Sequence, residues 1–198
     1  MDVPKDNRVY KERSYWNTRF ENEEEYEWLV SYEAVKEHLG AHCKGDQDAL
    51  VVGCGNSNFS KCLVEDQKVK SLVSIDFSET VIDSMRLKYP ELNWEVMDMT
   101  NMTFDEGRFD LVIDKAAMDA LVTDEGDPWN PNEETKKSTG NMMSSVAKVL
   151  KPGGKFIQIS FQQPHFRKKF LLNPALSDVE VETIDSGLGY FFYVQTRN

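Results

Sequence analysis

Short apolar runs alternate with helix-period segments from about residue 26 to about residue 170. The first of them, Ala49-Leu-Val-Val52, leads straight into Gly53-Cys-Gly55-Asn-Ser57. A run so short and so apolar reads as a strand buried on both faces, and the glycines behind it let the chain turn tightly. Leu72-Val-Ser-Ile-Asp76, Asn93-Trp-Glu-Val-Met-Asp98, Phe109-Asp-Leu-Val-Ile-Asp114 and Phe156-Ile-Gln-Ile-Ser160 read as further strands. Between them, Ser78 can cap a helix with Val81, Ile82, Met85 and Tyr89 inward, and Met142, Met143, Val146, Val149 and Leu150 mark the inner stripe of another. Tyr26-Glu-Trp-Leu29 is expected to open a helix with Trp28, Tyr32, Val35 and Leu39 on one stripe and Gly40 at its end. Lys151-Pro-Gly-Gly154 is expected to stop the later helix and turn the chain. Toward the end, Val179, Val181 and Thr183 alternate with acids, and Ser186-Gly-Leu-Gly189 precedes Tyr190-Phe-Phe-Tyr-Val194, the pattern of an antiparallel pair. The prediction is an α/β fold, a mostly parallel sheet with helices on both faces and a C-terminal antiparallel hairpin.

Composition removes several functions. The 34 acidic and 23 basic side chains leave a net charge of −11, which disfavours nucleic acid and favours a basic protein surface or a small molecule. The 198 residues suit one domain, and no repeat or Pro/Gly/Ser-rich linker divides them. No apolar stretch reaches the roughly 18 to 20 residues that span a bilayer, and MDVPKDNRVYKERSYW lacks the apolar core of a signal peptide. Cys43, Cys54 and Cys62 form no CxxC pair and are odd in number, so a disulfide framework is not expected. His38 and His42 stand at i, i+4 without an HExxH pattern, and read as a solvated helix end and not as a metal site. The expectation is a reduced, cytoplasmic protein.

In sheets of this kind ligands bind beyond the carboxyl ends of the strands. Gly53-Cys-Gly55 is weak evidence alone, since glycine turns between strand and helix are common. A P-loop would need GxxxxGK[ST], which is absent; a dinucleotide site would need a third glycine where Asn58 stands. Asp76, at the second strand end, can accept both hydroxyls of a ribose. Asp98, at the third, can accept from an adenine amino group. A glycine turn, a ribose acceptor and an adenine acceptor suit an adenosine without phosphates, such as S-adenosylmethionine.

The ordered set LVVGCGNS, SIDFS, EVMDM, FDLVIDKAAMDAL and LKPGG resembles the class I S-adenosylmethionine-dependent methyltransferases. Tyr15-Trp16 with Arg19-Phe20, Gly53-Cys-Gly-Asn-Ser57, Asp114-Lys115 with Asp119-Ala120, Asp127-Pro-Trp129 and Pro164-His-Phe-Arg167 are similar to the branch containing methyltransferase-like 13 and the elongation factor 1-alpha lysine methyltransferases. The likeness runs from about Tyr10 to the end. It implies a Rossmann-like, seven-stranded methyltransferase domain over 1–198, with residues 1–25 closing over the cofactor. It further implies that Trp16, Phe20 and Trp28 wall the cofactor, that Gly53 lies against its methionine part and Gly55 also binds the cofactor, that Asp76 and Phe77 flank the ribose, that Asp98 and Met99 meet the adenine, and that Lys115 lines the site. Two positions depart from the pattern: Val51 stands where an acid usually meets the methionine ammonium, and Phe20 where close relatives have tyrosine.

Methyl transfer needs the reactants aligned and water removed. A lysine nucleophile must arrive neutral, against a free pKa of about 10.4. No catalytic residue is assigned. Asp119 is a candidate base beside the alternative that it is a helix-surface acid, and His165 is the next. Substrate would approach over the rim formed by 123–137 and 164–170, where Asp124, Glu125, Asp127, Glu133 and Glu134 could steer a basic protein. The resemblance implies a monomeric protein-lysine methyltransferase acting on elongation factor 1-alpha. The same motifs would serve a methyltransferase of a small metabolite or of another protein side chain, or a non-catalytic binding module.

Overall fold

A computed structural model describes residues 4–66, 68–185 and 189–198. The chain opens with a 3-10 turn, Asn7–Lys11, then α1 (Arg13–Phe20), α2 (Tyr32–Gly40), β1 (Asp48–Val52), α3 (Phe59–Glu65), β2 (Ser71–Asp76), α4 (Glu79–Lys88), β3 (Asn93–Val96), β4 (Phe109–Lys115) and α5 (Ala117–Leu121). A small hairpin of β5 (Gly126–Asp127) and β6 (Asn130–Pro131) precedes α6 (Glu133–Val149), β7 (Leu150–Ser160), α7 (Pro164–Arg167), a second 3-10 turn (Lys168–Phe170), β8 (Glu180–Ile184) and β9 (Tyr190–Thr196).

The main sheet has the order β3-β2-β1-β4-β7-β9-β8, with β1, β2, β3, β4 and β7 parallel and the β8–β9 hairpin antiparallel. This is the predicted Rossmann-like fold. The chain winds outward from β1 through β2 to β3 and returns to place β4 on the other side of β1, so the switch point lies between the carboxyl ends of β1 and β4. Alternate residues of β1 serve two cores. Ala49 and Val51 pack with Val35, Leu39, Phe59, Val81, Ile82 and Met85, while Leu50 and Val52 pack with Met118, Met142, Met143 and Val146. Apart from Ala49, each such side chain contributes about 1.5 to 3 kcal/mol when fully buried.

Several expectations shift. Helix α2 starts at Tyr32 and not at Tyr26. Trp28 and Leu29 are non-helical because Leu29 takes φ 65° and the Trp28 carbonyl accepts from Lys115 Nζ at 2.9 Å. Strand β3 stops at Val96; beyond it Asp98 Oδ1 accepts from the Thr100 N–H at 2.7 Å and bends the chain. The helix before Lys151-Pro-Gly-Gly154 ends at Val149, one residue before the expected Leu150, which instead opens β7; Lys151-Pro-Gly-Gly154 also belong to β7 and do not form a free turn. They make a bulge opposite Phe109 and Leu111, with Gly153 at φ 78°. The polar stretch before α6 holds the β5–β6 hairpin and the first turn of α6, capped by Asn132 accepting from Thr135 N. The predicted β8–β9 turn at Ser186-Gly-Leu-Gly189 lies outside the described residues at 186–188. His38 and His42 are not a solvated helix end: both rings stack on Phe192, and their Nδ1 atoms meet Glu182 and Lys155.

Candidate active site

A cavity of about 600 Å³ opens at the switch point. Its floor is the turn after β1. Gly53 and Gly55 take φ 58° and 52°, a region open to glycine, and a Cβ on Gly53 would stand 2.3 Å from the Ala117 Cβ. Asp76, at the end of β2, is buried and ties two loops together. Its Oδ2 accepts from Gly55 N at 3.0 Å and its Oδ1 from Ser78 N at 2.9 Å. Burial pushes its carboxyl up to about 6 against the pull of those N–H groups. Phe77 lies beside it, and Asp98 and Met99 line the wall beyond β3.

The opposite wall comes from the start of the chain. Trp16 and Phe20 of α1 stack at 5.5 Å, and Trp28 meets Trp16 edge-on at 5.8 Å. Tyr10 packs against both tryptophans, and its carbonyl accepts from Trp16 Nε1 at 2.6 Å. Behind the rings, the buried guanidinium of Arg19 lies 4.8 Å from the Trp28 centroid and pairs with Glu23 at 2.7 Å. The wall is fastened to the sheet at several points. Lys115 Nζ reaches the Trp28 carbonyl and pairs with Glu27 at 3.2 Å, Ser78 Oγ donates to Asn17 Oδ1 at 2.6 Å, and Lys11 pairs with Asp124 at 2.8 Å. Burial pulls the Lys115 ammonium below its usual pKa, and Glu27 opposes that. The Trp28 Nε1–H is buried without an acceptor among the described residues.

All the sequence-predicted residues, Trp16, Phe20, Trp28, Gly53, Gly55, Asp76, Phe77, Asp98, Met99 and Lys115, therefore line the same cavity. Sequence reasoning missed Tyr10, although its place in an aromatic N-terminal segment is a signal, and Phe161 at the end of β7, which also lines the cavity. It left Asp119 open between a candidate base and a helix-surface acid. That side chain is no helix-surface acid: it is buried on the cavity wall and paired with the fully buried Arg167. A free general base is not what this pairing provides. His165 lies outside the cavity lining, stacked on Trp129 at 5.7 Å. Val51 lines the cavity as predicted and brings no charge to it.

Comparison with known proteins bears on this geometry. The methyltransferase domain family matches residues 50–158. The chain is similar to EEF1A lysine methyltransferase 4 of Mus musculus, 31% identical over 99% of this chain and 79% of that protein. It is also similar to the eEF1A lysine and N-terminal methyltransferase of Homo sapiens, 34% identical over 84% of this chain but only 24% of that longer protein. Among solved structures, the N-methyltransferase NodS from Bradyrhizobium japonicum WM9, in complex with S-adenosyl-L-homocysteine, shares the fold with a TM-score of 0.66. It is 16% identical, and 94% of this chain and 98% of that one are covered.

Proposed function

The chain belongs to the methyltransferase domain family and is an S-adenosylmethionine-dependent methyltransferase; from that premise we propose that it methylates a lysine of a protein, with translation elongation factor 1-alpha as that protein. The observation that carries the lysine reading is likeness along almost the whole chain to relatives named as lysine methyltransferases of that factor. The proposal includes a monomer acting in the cytoplasm.

The cavity residues fit the cofactor. It supplies a methyl carbon on a positively charged sulfur. Asp76 would accept the ribose hydroxyls with Phe77 beside it, Asp98 and Met99 would meet the adenine, and the Gly53–Gly55 turn would lie against the methionine part. The unpartnered Trp28 N–H suits the methionine carboxylate. Trp16, Phe20 and Trp28 would exclude water and turn π faces toward the sulfonium. Lys115, already neutralised by Glu27, would hold the aromatic wall on the sheet.

The rim supports a protein substrate over a small metabolite. Trp129, at the tip of the β5–β6 hairpin, is 77% exposed and packs on His165 and Phe166, while Phe161 at the cavity is 56% exposed. Such an open aromatic surface suits a basic polypeptide. Asp127 and Glu125 lie beside it; Lys11 already pairs with Asp124 and Glu134, and Lys136 with Glu133. The test is transfer from methyl-tritiated S-adenosylmethionine to purified elongation factor 1-alpha, followed by acid hydrolysis. Label released as methyl-lysine is expected. Label found only in small molecules from a cytosolic extract would overturn the reading.

A further inference from the structure

Among the described residues three carboxylates line the cavity, Asp76, Asp98 and Asp119, and they differ in what remains free on each. Asp76 holds a backbone N–H on each oxygen, and Asp98 is exposed at the far strand end with Thr100 on its Oδ1. Asp119 is 6% exposed. Its Oδ1 accepts from Ser160 Oγ at 2.7 Å and from Arg167 Nη2, while its Oδ2 is buried with no hydrogen-bond partner among the described residues. A buried acceptor without a donor costs about 1 to 3 kcal/mol, more when charged, and that cost is offset once a cavity occupant supplies the donor. Asp119 is brought there by the left-handed Ala116, φ 71°, which turns the chain from β4 into α5.

We propose that Asp119 Oδ2 receives the substrate amine, accepting a hydrogen bond from the lysine nitrogen and so fixing the direction of its lone pair. This rests on the lysine reading above. Ser160 and Arg167 are positioning residues. Ser160 Oγ donates to Asp119 Oδ1 and accepts from Gln162 N at 3.0 Å and Arg167 Nη2 at 3.1 Å, which fixes the rotamer. Burial pushes the Asp119 pKa up, and the Arg167 guanidinium beside it opposes that shift.

The lysine gives up its proton to water before the step. The neutral nitrogen then forms a bond to the methyl carbon as the carbon–sulfur bond breaks. The sulfur keeps that electron pair and becomes neutral, and the nitrogen becomes a methylammonium cation. Positive charge thus moves from sulfur to nitrogen, and a carboxylate fixed beside the nitrogen stabilises the place where it arrives.

Asp119→Asn keeps the shape and the Oδ1 acceptor but removes the charge. Methylation of purified elongation factor 1-alpha and calorimetric binding of S-adenosylhomocysteine are measured on the same preparations. The expected result is kcat lower by about 30- to 100-fold with cofactor-product affinity within about threefold of wild type. Because the substitution strands the Arg167 charge, Asp119→Asn/Arg167→Gln is measured as well; it is expected to recover thermal stability and to leave kcat low. An Asp119→Asn enzyme with kcat within about threefold of wild type overturns the assignment, as does recovery of kcat in the double variant, which would mark the pair as purely structural. An S-adenosylhomocysteine affinity that falls as far as kcat would give Oδ2 to the methionine ammonium instead. If the wild-type enzyme labels no protein lysine, the lysine reading falls and takes this assignment with it.

Discussion

Asp76 ties the loops after β1 and β2 together and is the proposed ribose acceptor, and its environment predicts a pH dependence. Its folded pKa of about 6 lies above the roughly 3.9 of a free aspartate, so the ligand-free fold binds the proton more tightly than the unfolded chain. Asp114, which accepts from Ala117 N and Gln158 Nε2 and is likewise pushed up to about 6 by burial, adds to the same effect. Stability of the ligand-free protein is therefore expected to fall as pH rises from about 4 to about 6, readable in urea melts. Ribose hydroxyls need the charged form of Asp76 as acceptor. Affinity for S-adenosylhomocysteine should accordingly weaken as pH falls through about 6, and Asp76→Asn should bind weakly with a flat pH profile; calorimetry at several pH values checks both. Gly53→Ala meets two obstacles, a positive φ and the Ala117 Cβ at 2.3 Å. It should cost about 1 to 3 kcal/mol in a urea melt and abolish cofactor-product binding.

Among the elements, the N-terminal segment carries the aromatic wall without belonging to the sheet, and Lys115, at the end of β4, ties the two together. Lys115→Met removes the hydrogen bond to the Trp28 carbonyl and strands Glu27, so S-adenosylhomocysteine affinity should drop about tenfold while far-ultraviolet circular dichroism keeps its shape. A drop in affinity matched by loss of the sheet signal would contradict this role. At this scale the sequence was readable where the signals are local. Glycines at the end of an apolar run, and acids at the ends of the next two, need no knowledge of distant residues to be placed beyond strands of a parallel sheet. The misreadings arise where distant groups decide. The helix expected from Tyr26 gives way because Lys115 takes the Trp28 carbonyl. The strand expected to reach Asp98 stops because that side chain bonds to Thr100. The Asp119–Arg167 pair joins residues 48 apart in sequence and leaves no periodic trace, so the sequence left Asp119 open between a candidate base and a surface acid.

The molecule as a whole carries a net charge of −11, and the acids left unpaired near the aromatic rim, Asp127 among them, add to a field that attracts a basic protein. That attraction is screened by salt. KM for the protein substrate is expected to rise about tenfold between roughly 50 and 300 mM salt with kcat little changed, whereas S-adenosylhomocysteine affinity should hardly move. The architecture was the most legible part, since strand and helix periods alternate along most of the chain. The substrate face was the least, because the hairpin that raises Trp129 is only two residues per strand and its partners His165 and Phe166 come from α7.

The central proposal is that the cavity holds an adenosyl cofactor through Asp76 and the glycine turn. Calorimetric titration of the wild-type and Asp76→Ala proteins with S-adenosylhomocysteine and with NAD tests this most directly. Micromolar or tighter binding of S-adenosylhomocysteine to the wild type, about 100-fold weaker in the variant, and no binding of NAD to either are expected. Equal affinity of both proteins for S-adenosylhomocysteine, or binding of NAD, would contradict it.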